Sequence, residues 1–207
     1  MRTKLMFATP LIVAEPFDDP GHVAALAEVI RRRAATEPGV RHSNEGGWQS
    51  TPDFPGWCGP VGEELLRRVV AVCDRSTLSF GAGGLTRDRL DWQVTAWANL
   101  NGYGTGNLAH VHPGAFWSGC FYADDGGIAG GEALGGALEF VDPRGAMPVM
   151  YAPTVKFGIE GCVTAGLGER FHPKTGDLVI FPSWLRHSVT RYLGDGTRIS
   201  VAFNLSL

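Results

Sequence analysis

The stretch GDLVIFPSWLRH, residues 176–187, decides the interpretation of the fold. It combines a short apolar run, a turn made of Pro182, Ser183 and Trp184, and a histidine, His187, at the entry to the next segment. A short apolar run bounded by turn residues predicts a buried β-strand rather than a helix. In a jelly roll, a histidine in this place can face back into the mouth of the barrel.

Short runs of this kind recur through the second half of the chain, separated by Gly, Pro and Asp from Arg89 onward. The eight predicted strands are Trp92–Asn99, Leu108–His112, Phe116–Ala123, Ala137–Val141, Thr154–Ile159, Asp177–Phe181, His187–Tyr192 and Arg198–Leu205. They predict an α+β, mainly β chain built on a sandwich or barrel of the jelly-roll type. We expect a single domain, residues 1–207, with a mostly helical portion over 1–88 and a jelly-roll core over 89–207.

Two helices are predicted in the N-terminal portion. The first covers Pro20–Glu37, with Asp18 or Asp19 as its cap, because apolar residues recur there at helical spacing. The second runs from about Gly59 to Phe80 and is stopped by a run of small residues. The apolar stretch that precedes both helices is interrupted by prolines and a glutamate, which favours a first β-strand over a signal peptide.

Composition narrows the class of protein. The chain is 44% hydrophobic and 19% charged, which excludes a disordered chain, and its 29 glycines among 207 residues are about twice the usual ~7%. The net charge of −3 gives no sequence-wide signal for nucleic acid or an anionic membrane, and no apolar run is long enough to span a bilayer. The four cysteines form no CxxC pair, so we expect free thiols and a cytoplasmic location.

The segment AHVHP, residues 109–113, carries a candidate metal site. On a strand, residues i and i+2 point to the same face, so His110 and His112 project together. The alternatives are a polar surface pair, or one core histidine beside a chance neighbour. If His187 faces the same space, the three imidazoles leave open positions for water or substrate, which is typical of a catalytic metal site.

A candidate anion site follows in RISVAFN, residues 198–204. Arg198 and Ser200 share a face by the same period of two. A guanidinium inside a barrel is costly unless it meets an anion, and a carboxylate bound through both oxygens is its natural partner. The alternative is an exposed arginine on an edge strand.

Taken together, these motifs resemble the bacterial and phage 2-oxoglutarate/Fe(II)-dependent oxygenases. The resemblance also includes GGWQS at 46–50 and WAN at 97–99, and it extends over residues 45–207. It implies a double-stranded β-helix with N-terminal helices packed on it, with Fe(II) at the barrel mouth and 2-oxoglutarate as cosubstrate. It also implies a dioxygenase that converts 2-oxoglutarate to succinate and uses molecular oxygen to hydroxylate a small molecule or peptide; a homodimer is the default expectation.

The resemblance assigns residues to these ligands. His187 matches the distal iron-binding histidine, Arg198 the partner of the 2-oxoglutarate C5 carboxylate, and Ser200 its hydroxyl helper. Further expected cosubstrate contacts are Tyr103, Asn99 and Tyr122, and the expected substrate contacts are Trp97 and Trp117. The Gly-rich segment Asp124–Gly136 is a candidate lid.

One departure from the family pattern concerns the metal ligands. The common motif is His-x-Asp/Glu…His, and His112 occupies the position of the carboxylate. We expect His112 to bind the metal; the alternatives are water, or a carboxylate from Asp124 or Asp125. The same three histidines also fit a cupin-like or zinc hydro-lyase enzyme, and a jelly roll that binds no metal is a further alternative.

Overall fold

A computed structural model describes residues 1–17, 19–146 and 150–207. Two helices lie in the N-terminal portion, α1 (Pro20–Thr36) and α2 (Gly59–Arg75). The strands are β1 (Ile12–Ala14), β2 (Asn44–Glu45), β3 (Trp48–Gln49), β4 (Ser79–Gly81), β5 (Gly84–Thr86), β6 (Gln93–Asn101), β7 (Gly106–His110), β8 (Trp117–Asp124), β9 (Leu138–Val141), β10 (Gly168–Phe171), β11 (Leu178–Pro182), β12 (His187–Val189) and β13 (Arg198–Ser206). The mainly β architecture with N-terminal helices is confirmed.

Two antiparallel sheets form the body of the molecule. The larger has the order β1-β11-β8-β13-β6-β3, and the smaller has the order β10-β9-β12-β7-β2. Residues of both sheets share an apolar cluster, in which Phe140 of the small sheet contacts Phe181 of the large one at a ring-centroid distance of 5.1 Å. The site described below lies between the two sheets.

The central strand β13 shows how the large sheet separates its two faces. Ile199, Val201, Phe203 and Leu205 are completely buried in the cluster that includes both helices. The alternate residues Arg198 and Ser200 line the cavity between the sheets instead. Because side chains of a strand alternate between its faces, one face of the sheet holds the helices and the other carries the polar site.

The two helices pack on the outer face of the large sheet. Asp19 caps α1, its Oδ1 accepting from the backbone N–H of Gly21 at 2.8 Å, while Asp18 lies outside the described residues. The prediction that α2 continues to Phe80 is wrong, since the helix ends at Arg75. Beyond it the hydroxyl of Thr77 donates to the carbonyl of Cys73 at 2.7 Å, and β4 turns back to pair with β5. The glycines read as a helix stop therefore form a hairpin turn.

One predicted strand is absent, and five observed strands, β2, β3, β4, β5 and β10, were not predicted. Residues Thr154–Ile159 contain no strand, and the side chains of Val155 and Phe157 are exposed. Instead β10 pairs with β9 along Gly168–Phe171. An alternating pattern forms a strand only where a neighbouring backbone is available to pair with it.

Two further expectations concern the cysteines and membrane-spanning segments. All four cysteines are free thiols, as predicted. Within the described parts of the chain, no helix combines the length and the apolar character needed to cross a membrane.

Candidate metal centre

Three histidines meet at one end of the small sheet. His110 ends β7 and His187 begins β12, and the two are direct cross-strand partners. His112 follows two residues after β7, held by a hydrogen bond from its backbone N–H to the carbonyl of Ser183 at 3.0 Å. One ring nitrogen of each histidine lies within 4.8 Å of those of the other two. The histidines therefore converge, although His112 lies beyond the end of β7 and not on the strand, where the sequence predicted it.

Backbone carbonyls orient two of the three rings. The Nδ1 of His110 lies 2.6 Å from the carbonyl oxygen of Leu108, and the Nδ1 of His187 lies 2.8 Å from that of Leu185. A carbonyl oxygen can only accept, so each Nδ1 carries the ring proton. This leaves the Nε2 of both rings unprotonated, with a lone pair available to a metal ion.

Burial keeps His112 and His187 neutral. Burial, together with the neighbouring imidazoles, lowers the pKa of His112 to about 4. Burial also lowers the pKa of His187 to about 4, against the hydrogen bond to the Leu185 carbonyl, which raises it. Neutral imidazoles are the form that binds metals, so neither ring has to lose a net proton to bind a metal ion at neutral pH.

No carboxylate joins this cluster within the described residues. Asp124 forms an ion pair with Arg31 at 2.6 Å. Asp125 accepts hydrogen bonds from the backbone N–H groups of Gly127 and Thr175. Neither aspartate therefore supplies the ligand that His112 replaces.

A buried arginine lies in the cavity that the histidines border. Arg198 is only 3% exposed, its Nε has no hydrogen-bond partner, and no ion pair joins its guanidinium to any described residue. The Tyr122 ring lies 5.6 Å from the guanidinium carbon, and burial raises the pKa of this tyrosine. An unpaired buried cation is unfavourable, so this end of the cavity fits an anion.

Two carboxamides face the same space. Asn101 and Asn99 of β6 are the cross-strand partners of Arg198 and Ser200. Both side chains are at least nine-tenths buried, line the cavity and make no hydrogen bond to the described residues. Asn101 was missed because the predicted strand ended at Asn99; one further step of the alternation would have included it.

Two glycines pack against the stem of Arg198. A Cβ at Gly136 would lie 3.0 Å from its Cδ, and one at Gly126 would lie 3.0 Å from its Cγ. The hydroxyl of Tyr192 donates to the carbonyl of Gly126 at 2.6 Å. Ile128, which lies between these two glycines in the sequence, is completely buried. The segment considered as a lid therefore forms a wall of the arginine's pocket.

The remaining predicted contacts divide into two groups. The Trp97 ring lies 6.0 Å from that of His112 and lines the cavity. Tyr103 lies in the turn after β6, is 72% exposed and does not line the cavity. Trp117 faces the helices, its indole N–H donating to the hydroxyl of Thr77 at 2.9 Å. The structure thus does not bring Tyr103 or Trp117 to the site.

A second cavity opens on the outer side of the histidines, with a volume of about 260 Å³. Its walls include Trp97, Pro52, Ser43 and Gln49, together with His110 and His112. Gln49 is 6% exposed, and its carboxamide makes no hydrogen bond to the described residues. No lysine, arginine, aspartate or glutamate lines this cavity.

Fe(II) and 2-oxoglutarate, the two ligands that the family resemblance implies, both fit these residues. Three neutral imidazole nitrogens suit a divalent metal such as Fe(II), and the open space beside them leaves further coordination positions. The unpaired guanidinium, with a hydroxyl and two carboxamides beside it, suits a dicarboxylate such as 2-oxoglutarate.

Solved structures with a similar fold are oxygenases. A prolyl-4-hydroxylase from Pseudomonas putida has a TM-score of 0.60 at 17% identity, over 95% of this chain and 91% of that one. A Trichoplax adhaerens prolyl hydroxylase bound to a peptide of hypoxia inducible factor has a TM-score of 0.64 at 13% identity, over 95% and 83%. HygX from Streptomyces hygroscopicus, with nickel and 2-oxoglutarate bound, has a TM-score of 0.62 at 14% identity, over 96% and 83%. These similarities confirm the double-stranded β-helix fold.

A curated sequence relative is the DNA mismatch repair protein MutL of Rhizobium rhizogenes, 30% identical over 145 residues, which is 70% of this chain and 22% of that protein. The chain thus spans about a fifth of that relative's length, and the function in its name is not carried over. The family model "Putative 2OG-Fe(II) oxygenase" matches residues 95–204, a range that includes all three histidines and Arg198. Enzymes of this family use Fe(II) and 2-oxoglutarate. The chain therefore belongs to the 2-oxoglutarate/Fe(II)-dependent oxygenases.

Proposed function

We propose that this oxygenase is a dioxygenase that hydroxylates a substrate C–H bond and binds its metal through His110, His112 and His187. The observation that supports this most strongly is Arg198, a buried cation without an anion in the same cavity as the three imidazoles. With Fe(II) and 2-oxoglutarate bound, oxygen and 2-oxoglutarate are converted to succinate and carbon dioxide, and one oxygen atom is added to the substrate.

Arg198 binds the distal carboxylate of 2-oxoglutarate in this proposal. Its planar guanidinium can donate two parallel hydrogen bonds to a carboxylate, and Ser200 can donate a third. Asn99 and Asn101 lie across from these two residues and offer further donors. Burial of the whole group excludes competing water, which strengthens each charged contact.

His112 changes the charge of the metal centre. In the usual ligand set one carboxylate neutralises part of the metal charge, whereas three neutral imidazoles leave all of it. The protein therefore contributes no negative charge at the metal, and the dianionic cosubstrate supplies it. We expect 2-oxoglutarate to bind much more tightly to the metal-loaded protein than to the metal-free protein.

The outer cavity receives the substrate in this proposal. Among the described residues, no lysine, arginine, aspartate or glutamate lines it, and His42 is the one titratable side chain besides the two metal ligands. The part of a small molecule or peptide that enters is therefore uncharged. Trp97 and Pro52 contact its apolar surface, while the carboxamide of Gln49 donates and accepts one hydrogen bond each. From the free thiols we also propose a cytoplasmic location, and a homodimer remains the default assembly.

The test is turnover of 2-oxoglutarate without added substrate. Purified protein is incubated with Fe(II), 2-oxoglutarate and oxygen, and succinate and oxygen uptake are measured. Arg198→Ala should raise the 2-oxoglutarate concentration needed for turnover and leave the metal content unchanged. His187→Ala should lose both the turnover and the bound metal. Arg191→Ala, an exposed arginine on a nearby loop, is the matched control. Absence of both 2-oxoglutarate binding and succinate formation in the wild type would overturn the proposal.

A zinc hydro-lyase is the second candidate, because three neutral histidines are also a zinc ligand set. Such an enzyme has no use for a carboxylate-binding arginine beside the metal. If zinc binds and 2-oxoglutarate does not, this second function is favoured over the first.

A further inference from the structure

Asn204 contacts the third histidine from behind. It lies on β13 directly across from Ser118 of β8, on the face that carries Arg198. Its Nδ2 is 3.4 Å from the Nδ1 of His112, and its Oδ1 accepts from the Ser118 hydroxyl at 2.7 Å. Ser118 is completely buried. The ring of His112 is thus connected through one carboxamide to a buried hydroxyl.

The proton positions in this network follow from one backbone carbonyl. The carbonyl oxygen of Leu185 can only accept a hydrogen bond, so His187 carries its ring proton on Nδ1 and its Nε2 is an acceptor. The Nε2 of His112 lies 3.3 Å from that atom and must therefore donate, which places its proton on Nε2. The Nδ1 of His112 then accepts from Asn204, and every partner in the network is matched.

A metal ion at the three Nε2 atoms requires the opposite arrangement. His112 can bind through Nε2 only if its proton moves to Nδ1. The group behind Nδ1 must then accept a hydrogen bond, and an NH₂ group cannot. Rotation of the carboxamide by about 180° brings Oδ1 to face Nδ1–H and turns Nδ2 toward Ser118. The Ser118 hydroxyl can accept as well as donate, so it remains paired in both arrangements.

We propose that Asn204 is a positioning residue for the metal centre, whose carboxamide reverses its orientation when His112 binds metal. The inference rests on the proposed function in one respect, the binding of metal by His112. A carboxamide is suited to this position because it can donate in one state and accept in the other. An aspartate offers only acceptors, and an apolar side chain offers neither.

Metal affinity tests the role of Asn204 directly. Co(II) is titrated into the metal-free protein, and its visible absorption bands report the binding. Because loss of a ligand's hydrogen-bond partner costs about 10- to 100-fold in metal affinity, Asn204→Leu should weaken Co(II) binding by a factor in that range. Asn204→Asp keeps an acceptor behind Nδ1, so it should bind Co(II) at least as tightly as the wild type. Ser206→Ala, two residues further along the same strand, is the matched control and should bind like the wild type.

The tautomer of His112 is a readout that a merely structural role would not change. Nitrogen-15 NMR of the imidazoles is recorded for the metal-free and the Zn(II)-loaded protein. The proton of His112 should be on Nε2 without metal and on Nδ1 with it. A proton on Nδ1 in both states would overturn the reversal, because Asn204 would then accept throughout.

The outcomes separate this inference from the proposed function. If the wild type and His187→Ala bind Co(II) equally weakly, the proposed metal centre itself is wrong. If the wild type binds Co(II) and Asn204→Leu binds it equally tightly, the metal centre stands and the role of Asn204 is wrong. Thermal unfolding in the presence of a chelator identifies any variant that fails to fold. If Asn204→Leu is such a variant, the comparison of Asn204→Asp with the wild type decides together with the tautomer measurement.

Discussion

Gly136 lies against Arg198 so closely that a Cβ on the glycine would be 3.0 Å from the Cδ of the arginine and 3.4 Å from its Nε. The φ angle of Gly136 is +70°, in the left-handed region that side chains disfavour. The backbone of Gly136 therefore forms one wall of the pocket that holds Arg198, and the position of the guanidinium depends on the absence of a side chain there.

Replacement of this glycine should displace the arginine. Gly136→Ala adds a methyl group at the stem of Arg198 and costs about 1–2 kcal/mol in backbone strain. We expect about tenfold weaker 2-oxoglutarate binding, equivalent to ~1.4 kcal/mol, with unchanged metal affinity. Calorimetric titration of 2-oxoglutarate into the metal-loaded protein measures the first, and titration of metal into the metal-free protein measures the second.

Gly130→Ala is the control, because this glycine lies in the same segment and a Cβ there meets nothing within 4 Å. If both variants bind 2-oxoglutarate like the wild type, the contact between Gly136 and Arg198 does not position the guanidinium.

Arg198 should lower the stability of the free protein while it provides the affinity for 2-oxoglutarate. Arg198→Met keeps an unbranched stem and removes a buried charge without an ion-pair partner. Replacement of even a paired buried ion by apolar residues of similar volume is neutral or stabilises by about 1–4 kcal/mol. We expect the variant to unfold at higher denaturant concentration than the wild type when no ligand is present.

2-Oxoglutarate should not increase the stability of Arg198→Met against unfolding. A ligand at 100 times its Kd stabilises its protein by about 2.7 kcal/mol, and only the wild type should show this gain. Denaturant unfolding with and without 2-oxoglutarate measures both effects. Lower stability of Arg198→Met in the absence of ligand would show that the guanidinium is compensated within the fold.

The sequence could predict which residues share a face but not always which face they take. The period of two correctly groups Arg198 with Ser200 and separates Trp117 from Ser118. Nothing in β8 itself shows that its Trp117 side meets the helices, because that depends on how the helices pack on the sheet. The tryptophan was therefore assigned to the wrong face.

The sequence also could not predict contacts between strands that lie far apart in the chain. Asn204 approaches His112 only because β13 pairs with β8, and no local pattern around Asn204 indicates this. The exposed Tyr103 shows the reverse case: it was expected to contact the cosubstrate, but it lies in the turn after β6 and points outward. The division into a helical portion and a jelly-roll core within a single domain stays a prediction.

A pH effect on stability is expected from Asp142, which follows β9. The side chain of Arg144 and the backbone N–H groups of Arg144 and Gly166 donate to its carboxylate and hold its pKa at about 2, below the ordinary 3.8. A depressed pKa stabilises the fold above pH 4, and the stabilisation is lost as the pH falls toward 2. Since Arg144 is half exposed, we expect about 1–2 kcal/mol at pH 7.

Asp142→Asn should therefore be less stable than the wild type at pH 7, and the difference should be about half as large at pH 3. Urea unfolding of both proteins at several pH values measures it. A difference that does not change between pH 7 and pH 3 would show that the hydrogen-bond geometry of Asp142, not its charge, stabilises the segment around Gly166.

Metal binding should stabilise the fold through His187, because the ligands come from different parts of the chain. A divalent ion that binds β7 and β12 together favours the folded state by mass action, by about 2.7 kcal/mol at 100 times its Kd. We expect Mn(II) to raise the unfolding temperature of the chelator-treated wild type and to leave that of His187→Ala unchanged. His172→Ala, a histidine outside the three, should respond like the wild type. If Mn(II) stabilises His187→Ala as much as the wild type, the ion binds elsewhere, and the convergence of the three imidazoles is not the metal site.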